Sequence, residues 1–134
     1  MPQQDGELRE ICRRFLDAVE RHDLDAVAEL YAPDFAFWVN LTGAESTREE
    51  SLETLRKGQA LHRRRTYDDR RIDTFGTGFV ARYSVNVVLH DGRRSSLCAC
   101  LVAQCRDGRI TRIDEYLDSS KFRALAPRTQ AGAP

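Results

Sequence analysis

Apolar residues recur at helical spacing early in the chain. Leu8, Ile11, Cys12, Phe15, Leu16 and Val19 fall on one face and predict an amphipathic helix over residues 7–21. Asp23 is placed to cap a short second helix carrying Leu24, Val27, Ala28, Leu30 and Tyr31, which Pro33 stops. FAFWVNL, residues 35–41, has the aromatic richness of a strand. Ser46 with Glu49 and Thr47 with Glu50 form two overlapping capping boxes, so a third helix starts there and runs to about Arg63, its inner line being Leu52, Leu55, Gln59 and His62. From Thr66 the period changes to two. Segments 66–75, 79–89, 94–105 and 109–118 are separated by Gly76-Thr77-Gly78, Asp91-Gly92 and Asp107-Gly108, which are hairpin signals between apolar runs.

Helices first and an antiparallel meander afterwards make an α+β fold, with helices packed on one face of a curved sheet. Residues 1–125 are expected to form one domain, and the small polar tail 126–134 to fray. One strand is apolar on both sides: Leu97, Ala99, Leu101 and Ala103 alternate with Cys98, Cys100 and Val102. Helices cover one side, and a second subunit is the simplest cover for the other, which predicts a homodimer.

Composition narrows the function. The 134 residues hold 21 Lys+Arg and 21 Asp+Glu, a balance without the electrostatic footprint of a nucleic-acid or acidic-membrane binder. The basic run in HRRRTYDD, residues 62–69, is followed at once by Asp68 and Asp69 and reads as a solvated helix end. LCACLVA, residues 97–103, is far shorter than the roughly 20 residues of a membrane span. The N-terminus, MPQQDGELRE, is polar and unlike a signal peptide. Cys12, Cys98, Cys100 and Cys105 show no metal-ligand spacing and read as free thiols of a cytoplasmic protein. No phosphate loop or dinucleotide fingerprint is present, and no cofactor or metal is expected.

One carboxylate is out of place. In RITRIDEYLD, residues 109–118, alternation puts Glu115 between Ile113 and Leu117 on a mostly apolar face. A three-residue loop at Arg106-Asp107-Gly108 would set Ala99 opposite Glu115, and a two-residue turn at Asp91-Gly92 would set Ser84 opposite Ala99. The expected row is Ser84, Ala99, Glu115, with Arg82 and Asn86 sharing the face and the small Ala99 leaving room above it. One residue of slip in either hairpin swaps the faces. Pattern alone leaves two readings open. Arg82, Ser84 and Asn86 either join Glu115 or face water opposite Tyr83, Val85, Val87 and Leu89. Glu115 is either functional or one half of a structural pair with Arg82.

The succession of helices, AVAELYAPD (26–34), the FAFWVN strand, the capped helix, the hairpins and the terminal ITRIDEYLD resembles the SnoaL-like proteins. Those belong to the superfamily named for nuclear transport factor two, with ketosteroid isomerase, limonene epoxide hydrolase and polyketide cyclases. The resemblance spans about residues 8–125. It implies a cone-shaped α+β barrel in which the three helices pack on the concave face and enclose a deep pocket. Glu115 would then face that pocket, and the opposite apolar face would form the dimer. Laid on limonene epoxide hydrolase, Asn40 matches a water-binding Asn, Arg82 the central Arg and Glu115 one catalytic Asp. Ser84 stands where the second Asp would be, and Trp38 where a Tyr would be.

The expected catalytic set is therefore Glu115 as acid/base, Arg82 as its partner, and Asn40 and Ser84 as orienting groups. Trp38, Asn86, Leu55, His62, Leu97, Ala99, Ile113 and Leu117 would shape the ligand site. The expected activity is cofactor-independent proton transfer on a small, mostly apolar or polycyclic molecule: isomerisation, aldol-type cyclisation or epoxide hydration. The alternative is a non-catalytic dimer that only binds such a molecule.

Overall fold

The computed structural model describes residues 2–123, so the expected C-terminal tail lies outside the described residues. Helix α1 (Pro2–Glu20) starts earlier than the sequence predicts, and α2 (Leu24–Leu30) follows a three-residue break. Asp23 caps α2 by accepting the Ala26 amide at 3.1 Å. Strand β1 (Tyr31–Val39) begins before Pro33 rather than after it. A short β2 (Glu45–Thr47), absent from the sequence reading, precedes α3 (Arg48–Leu61). Of the two possible capping boxes the second forms. The Thr47 hydroxyl accepts the Glu50 amide at 3.2 Å and the Glu50 carboxylate accepts the Thr47 amide at 2.8 Å.

Strand β3 (His62–Phe75) starts four residues sooner than expected, at the point where α3 ends. It continues into β4 (Gly78–Leu89), β5 (Arg94–Arg106) and β6 (Arg109–Leu117), and a short α4 (Ser119–Arg123) closes the described chain. The six strands form one curved, unclosed sheet in the order β2-β1-β6-β5-β4-β3. Strands β3 to β6 are the antiparallel meander, while β1 joins β6 in parallel. No helix among the described residues is long and apolar enough to cross a membrane.

The helices pack on the inner face of the sheet. Leu16, Val19, Val27 and Leu30 meet Phe79, Ala81, Tyr83, Val87, Leu101, Ile110 and Ile113 in one buried core. Residues β4 81, 83, 85, 87 and 89 are buried, and the alternating residues between them are not, so alternation sets the two faces.

Both expected hairpins are corrected. The β4–β5 loop has three residues, not two: the Leu89 amide donates to the Arg93 carbonyl at 2.8 Å and Val88 pairs with Arg94. Gly92, at φ 88°, takes the left-handed position that this bulged loop requires. The β5–β6 turn has two residues, Asp107 at φ 54° and Gly108 at φ 78°, between paired Arg106 and Arg109. A bulge between Gln104 and Cys105 then adds a further step. The first change shifts β4 by one residue and exchanges its faces. The second shifts β6 by two and leaves Glu115 on the same face as Ala99.

Candidate functional site

Glu115 lies on the inner face, beside Leu101 on β5 and Val39 on β1. Its Oε2 accepts a hydrogen bond from the Tyr83 hydroxyl at 2.6 Å. Tyr83 is opposite Ala99, and Ala99 is opposite Leu117. The phenol therefore spans from β4 toward β6 across a residue with no side chain beyond Cβ. Part of the Glu115 residue stays accessible, but burial dominates at its carboxyl and raises the pKa. The Tyr83 bond and the nearby Arg65 charge oppose that rise. Burial and the Glu115 charge push Tyr83 well above its usual value, so it remains a neutral donor.

More polar groups gather around this pair. The Tyr67 ring lies 5.2 Å from that of Tyr83, and the Arg65 guanidinium is 5.7 Å from the Tyr67 centroid. Burial pushes Tyr67 up to about 12. Tyr31 is buried and stacks on Phe35 at 3.7 Å. Glu20 of α1 accepts the Tyr67 amide at 2.7 Å and fixes the middle of β3 against the helix. His62, where α3 passes into β3, is held down to about 4 by burial, then by the charges of Arg65, His22 and His90.

Of the residues singled out from sequence, Glu115, Leu97, Ala99, Ile113, Leu117 and Leu55 lie on the inner side. His62 reaches the same interior at the end of α3. Arg82, Ser84 and Asn86 do not, because the longer β4–β5 loop turns them to the outer face. Arg82 is exposed there, opposite Cys100. Asn86 donates to Asp68 at 2.6 Å, and Ser84 pairs with Asp68 across the strands. A groove of about 460 Å³ on that side includes Asn86, Arg64, Thr66 and Ser96. Trp38 pairs with Asp114 and stands 5.3 Å from the exposed Tyr116 ring, also outside. Asn40 is exposed and its amide is committed. It donates to the Leu117 carbonyl at 3.0 Å and accepts the Leu117 amide at 2.9 Å, prolonging the β1–β6 pairing past Val39.

The family model of the SnoaL-like domain matches residues 12–113. The chain belongs to the SnoaL-like family. Solved structures agree on the fold of the superfamily named for nuclear transport factor two. A presumed polyketide cyclase of Xanthomonas campestris pv. campestris matches with a TM-score of 0.83 and 23% identity, over 91% of this chain and 98% of that one. A ketosteroid isomerase-like protein of Catenulispora acidiphila, in complex with trimethylamine, gives 0.77 and 17% over 87% and 91%. An epoxide hydrolase of the limonene type from M. tuberculosis gives 0.73 and 22% over 91% of each chain. Among curated proteins, none matches the sequence. At these identities the likeness carries the fold and not the activity.

In this SnoaL-like chain the groups around Glu115 are Tyr83, Tyr67 and Arg65, all missed from sequence. Tyr83 carried a signal, since it alternates with Val85, Val87 and Leu89 on a face otherwise apolar. Arg65 was hidden by extending α3 to Arg63, which turned an inward strand residue into part of a solvated helix end. The resulting arrangement can move a proton at Glu115, and Tyr83 can polarise a carbonyl or enolate oxygen once its single hydroxyl proton turns from Glu115 to that oxygen. Among the described residues, no cluster of three or more His, Cys, Asp and Glu side chains could hold a metal ion.

Proposed function

We propose that this protein is a cofactor-independent acid/base enzyme of the isomerase, cyclase or epoxide-hydrolase type. Its substrate is a small, mostly apolar molecule held between the inner face of the sheet and the helices. Glu115 is the acid/base, and Tyr83 orients it until the substrate oxygen arrives and takes over the phenol's single hydrogen bond. Leu55, Leu97, Ala99, Ile113 and Leu117 supply the apolar walls. The single observation that carries this reading is the 2.6 Å Tyr83–Glu115 hydrogen bond inside an apolar interior, with the carboxyl raised by burial. A carboxyl so placed can act as a positioned acid/base, worth roughly 10²–10⁴ in rate.

The test is turnover of a panel of polyketide esters, steroid enones and terpene epoxides by wild type and Glu115→Gln. A loss of about 10²–10⁴ with an unchanged fold is expected. Equal turnover by both proteins sinks the reading. One observation favours a non-catalytic binding role instead: Glu115 has a tyrosine beside it, not a second carboxylate. Ligands recovered unchanged across the panel would support that role.

We also propose a cytoplasmic homodimer. Its four cysteines are thiols, and the outer face offers Trp38, Cys100, Val102 and the 48% exposed Tyr116 as apolar cover for a second copy. Light scattering on a chromatographic column should give twice the chain mass, and the mass of one chain for Tyr116→Asp.

A further inference from the structure

Buried polar atoms nearly always find partners. Among the described residues, the buried side-chain atoms without a hydrogen-bond partner are His22 Nδ1, His62 Nδ1, Arg65 Nε and Arg65 Nη2. They come from the turn after α1, the end of α3 and strand β3, yet they converge. The Arg65 charge depresses both histidines, and His22 acts on His62 in turn. Leaving such groups buried and unpaired is unfavourable. Of these atoms the two guanidinium nitrogens are fixed donors, and each histidine nitrogen donates or accepts according to its tautomer.

We propose that this cluster is an anion subsite, in which the Nε–Nη2 edge of Arg65, flanked by His62 and His22, receives the carboxylate of the ligand. The proposal rests on the reading of the inner face as the ligand site, and it names the ligand class: a ring-bearing carboxylic acid. The two open nitrogens are one edge of the guanidinium, the edge that grips a carboxylate through two parallel N–H···O bonds. The other side is turned toward α3, where a Cβ added at Gly58 would lie 3.7 Å from Nη1. Arg65 stands opposite Val87, so its side chain leaves the inner face of β3. Glu115 does not fill the edge, because Oε2 belongs to Tyr83 and neither open Arg65 nitrogen has a partner. With both histidines held neutral, the subsite carries one fixed positive charge, which matches one carboxylate. The ligand would lie with its acid at Arg65 and its ring toward Tyr67, Tyr83 and Glu115.

Three probes of increasing size test this: benzoate, 2-naphthoate and 2-anthroate, each beside its neutral amide. Calorimetric titration of the full chain at neutral pH should give at least tenfold tighter binding for the acid of one pair than for its amide. Arg65→Met should remove that preference while leaving the amide within twofold. NMR titration of the His62 ring in the wild type needs no variant, and its pKa should move up when the acid is bound. A subsite without an anion would leave it where it is. Acid and amide binding alike overturn the anion subsite and leave the proposed enzyme standing. No binding by any probe overturns the subsite together with the pocket. Binding of the acids that survives Arg65→Met unchanged overturns the role of Arg65.

Discussion

The inner and outer faces of one sheet treat their polar residues in opposite ways. Outside, charge is plentiful and paired. Arg112 bonds Glu45 at 2.9 Å and Asp114 at 2.9 Å, while Asp68 accepts from Thr66 at 2.7 Å and Asn86 at 2.6 Å. Inside, polar groups are few, and several lack partners: Glu115 holds a single tyrosine, and Arg65 and His62 have buried nitrogens with none. Water screens the outer pairs and makes each nearly neutral in energy, whereas the inner groups remain desolvated and strongly perturbed. Perturbed, under-partnered groups are where a ligand has most to offer. Residue type alone would have chosen the other face, which holds Arg82, Ser84 and Asn86.

The largest expected effect separates the two faces directly. Glu115→Gln and Tyr83→Phe should each lower turnover of a confirmed substrate, the first by about 10²–10⁴ and the second by at least tenfold. Arg82→Ala and Ser84→Ala should stay within twofold. Comparable losses from the outer pair would mean that the chemistry lies on the wrong side for this reading. Ala99→Leu should act like Tyr83→Phe, because the larger side chain fills the path by which the phenol reaches Glu115.

How far the sequence could lead depended on which signals were redundant. The α+β order, the Asp23 cap and the Thr47–Glu50 box were legible because capping chemistry and periodicity agree at each. Glu115 was legible because its face is apolar whichever partner it has. Its neighbours depended on the length of a single loop. Asp91-Gly92 fits a two-residue turn or the end of a three-residue one, and only the latter turns Tyr83 inward. Asn40 shows a different limit. Its identity suggested a water ligand, but its position just past the end of β1 gives both ends of the amide to Leu117.

Acid should expose the next difference. His62 is held down to about 4, so the folded protein binds fewer protons than the unfolded chain between that value and 6.5. Stability should therefore fall as pH drops through this window. His62→Gln should relieve the loss by on the order of 1–2 kcal/mol, allowing for a partly exposed ring. Glu115 works in the opposite sense. Its raised pKa means that the folded protein keeps the proton longer, so stability falls as pH rises above the ordinary carboxylate range. Glu115→Gln, which can still accept from Tyr83, should raise the melting temperature at neutral pH and lose that gain in acid. Urea denaturation of both variants across pH 4–8 reads the two signs side by side.

The smallest effect is expected where the contacts look strongest. Arg112 makes more charged contacts than any inner residue, and Asp114 and then Glu45 raise its pKa through hydrogen bonds. All three groups reach solvent, their side chains being 35%, 28% and 58% exposed. Coulomb attraction there is screened, and ordering three long side chains opposes it. Arg112→Met keeps the packed stem of the side chain and removes the charge. It should cost about 1 kcal/mol or less in urea denaturation and shrink further in 0.5 M salt. A loss near 3 kcal/mol that persists in salt would show the outer network to be desolvated, as it would be under a second subunit, and would move part of the contrast from sheet face to dimer interface.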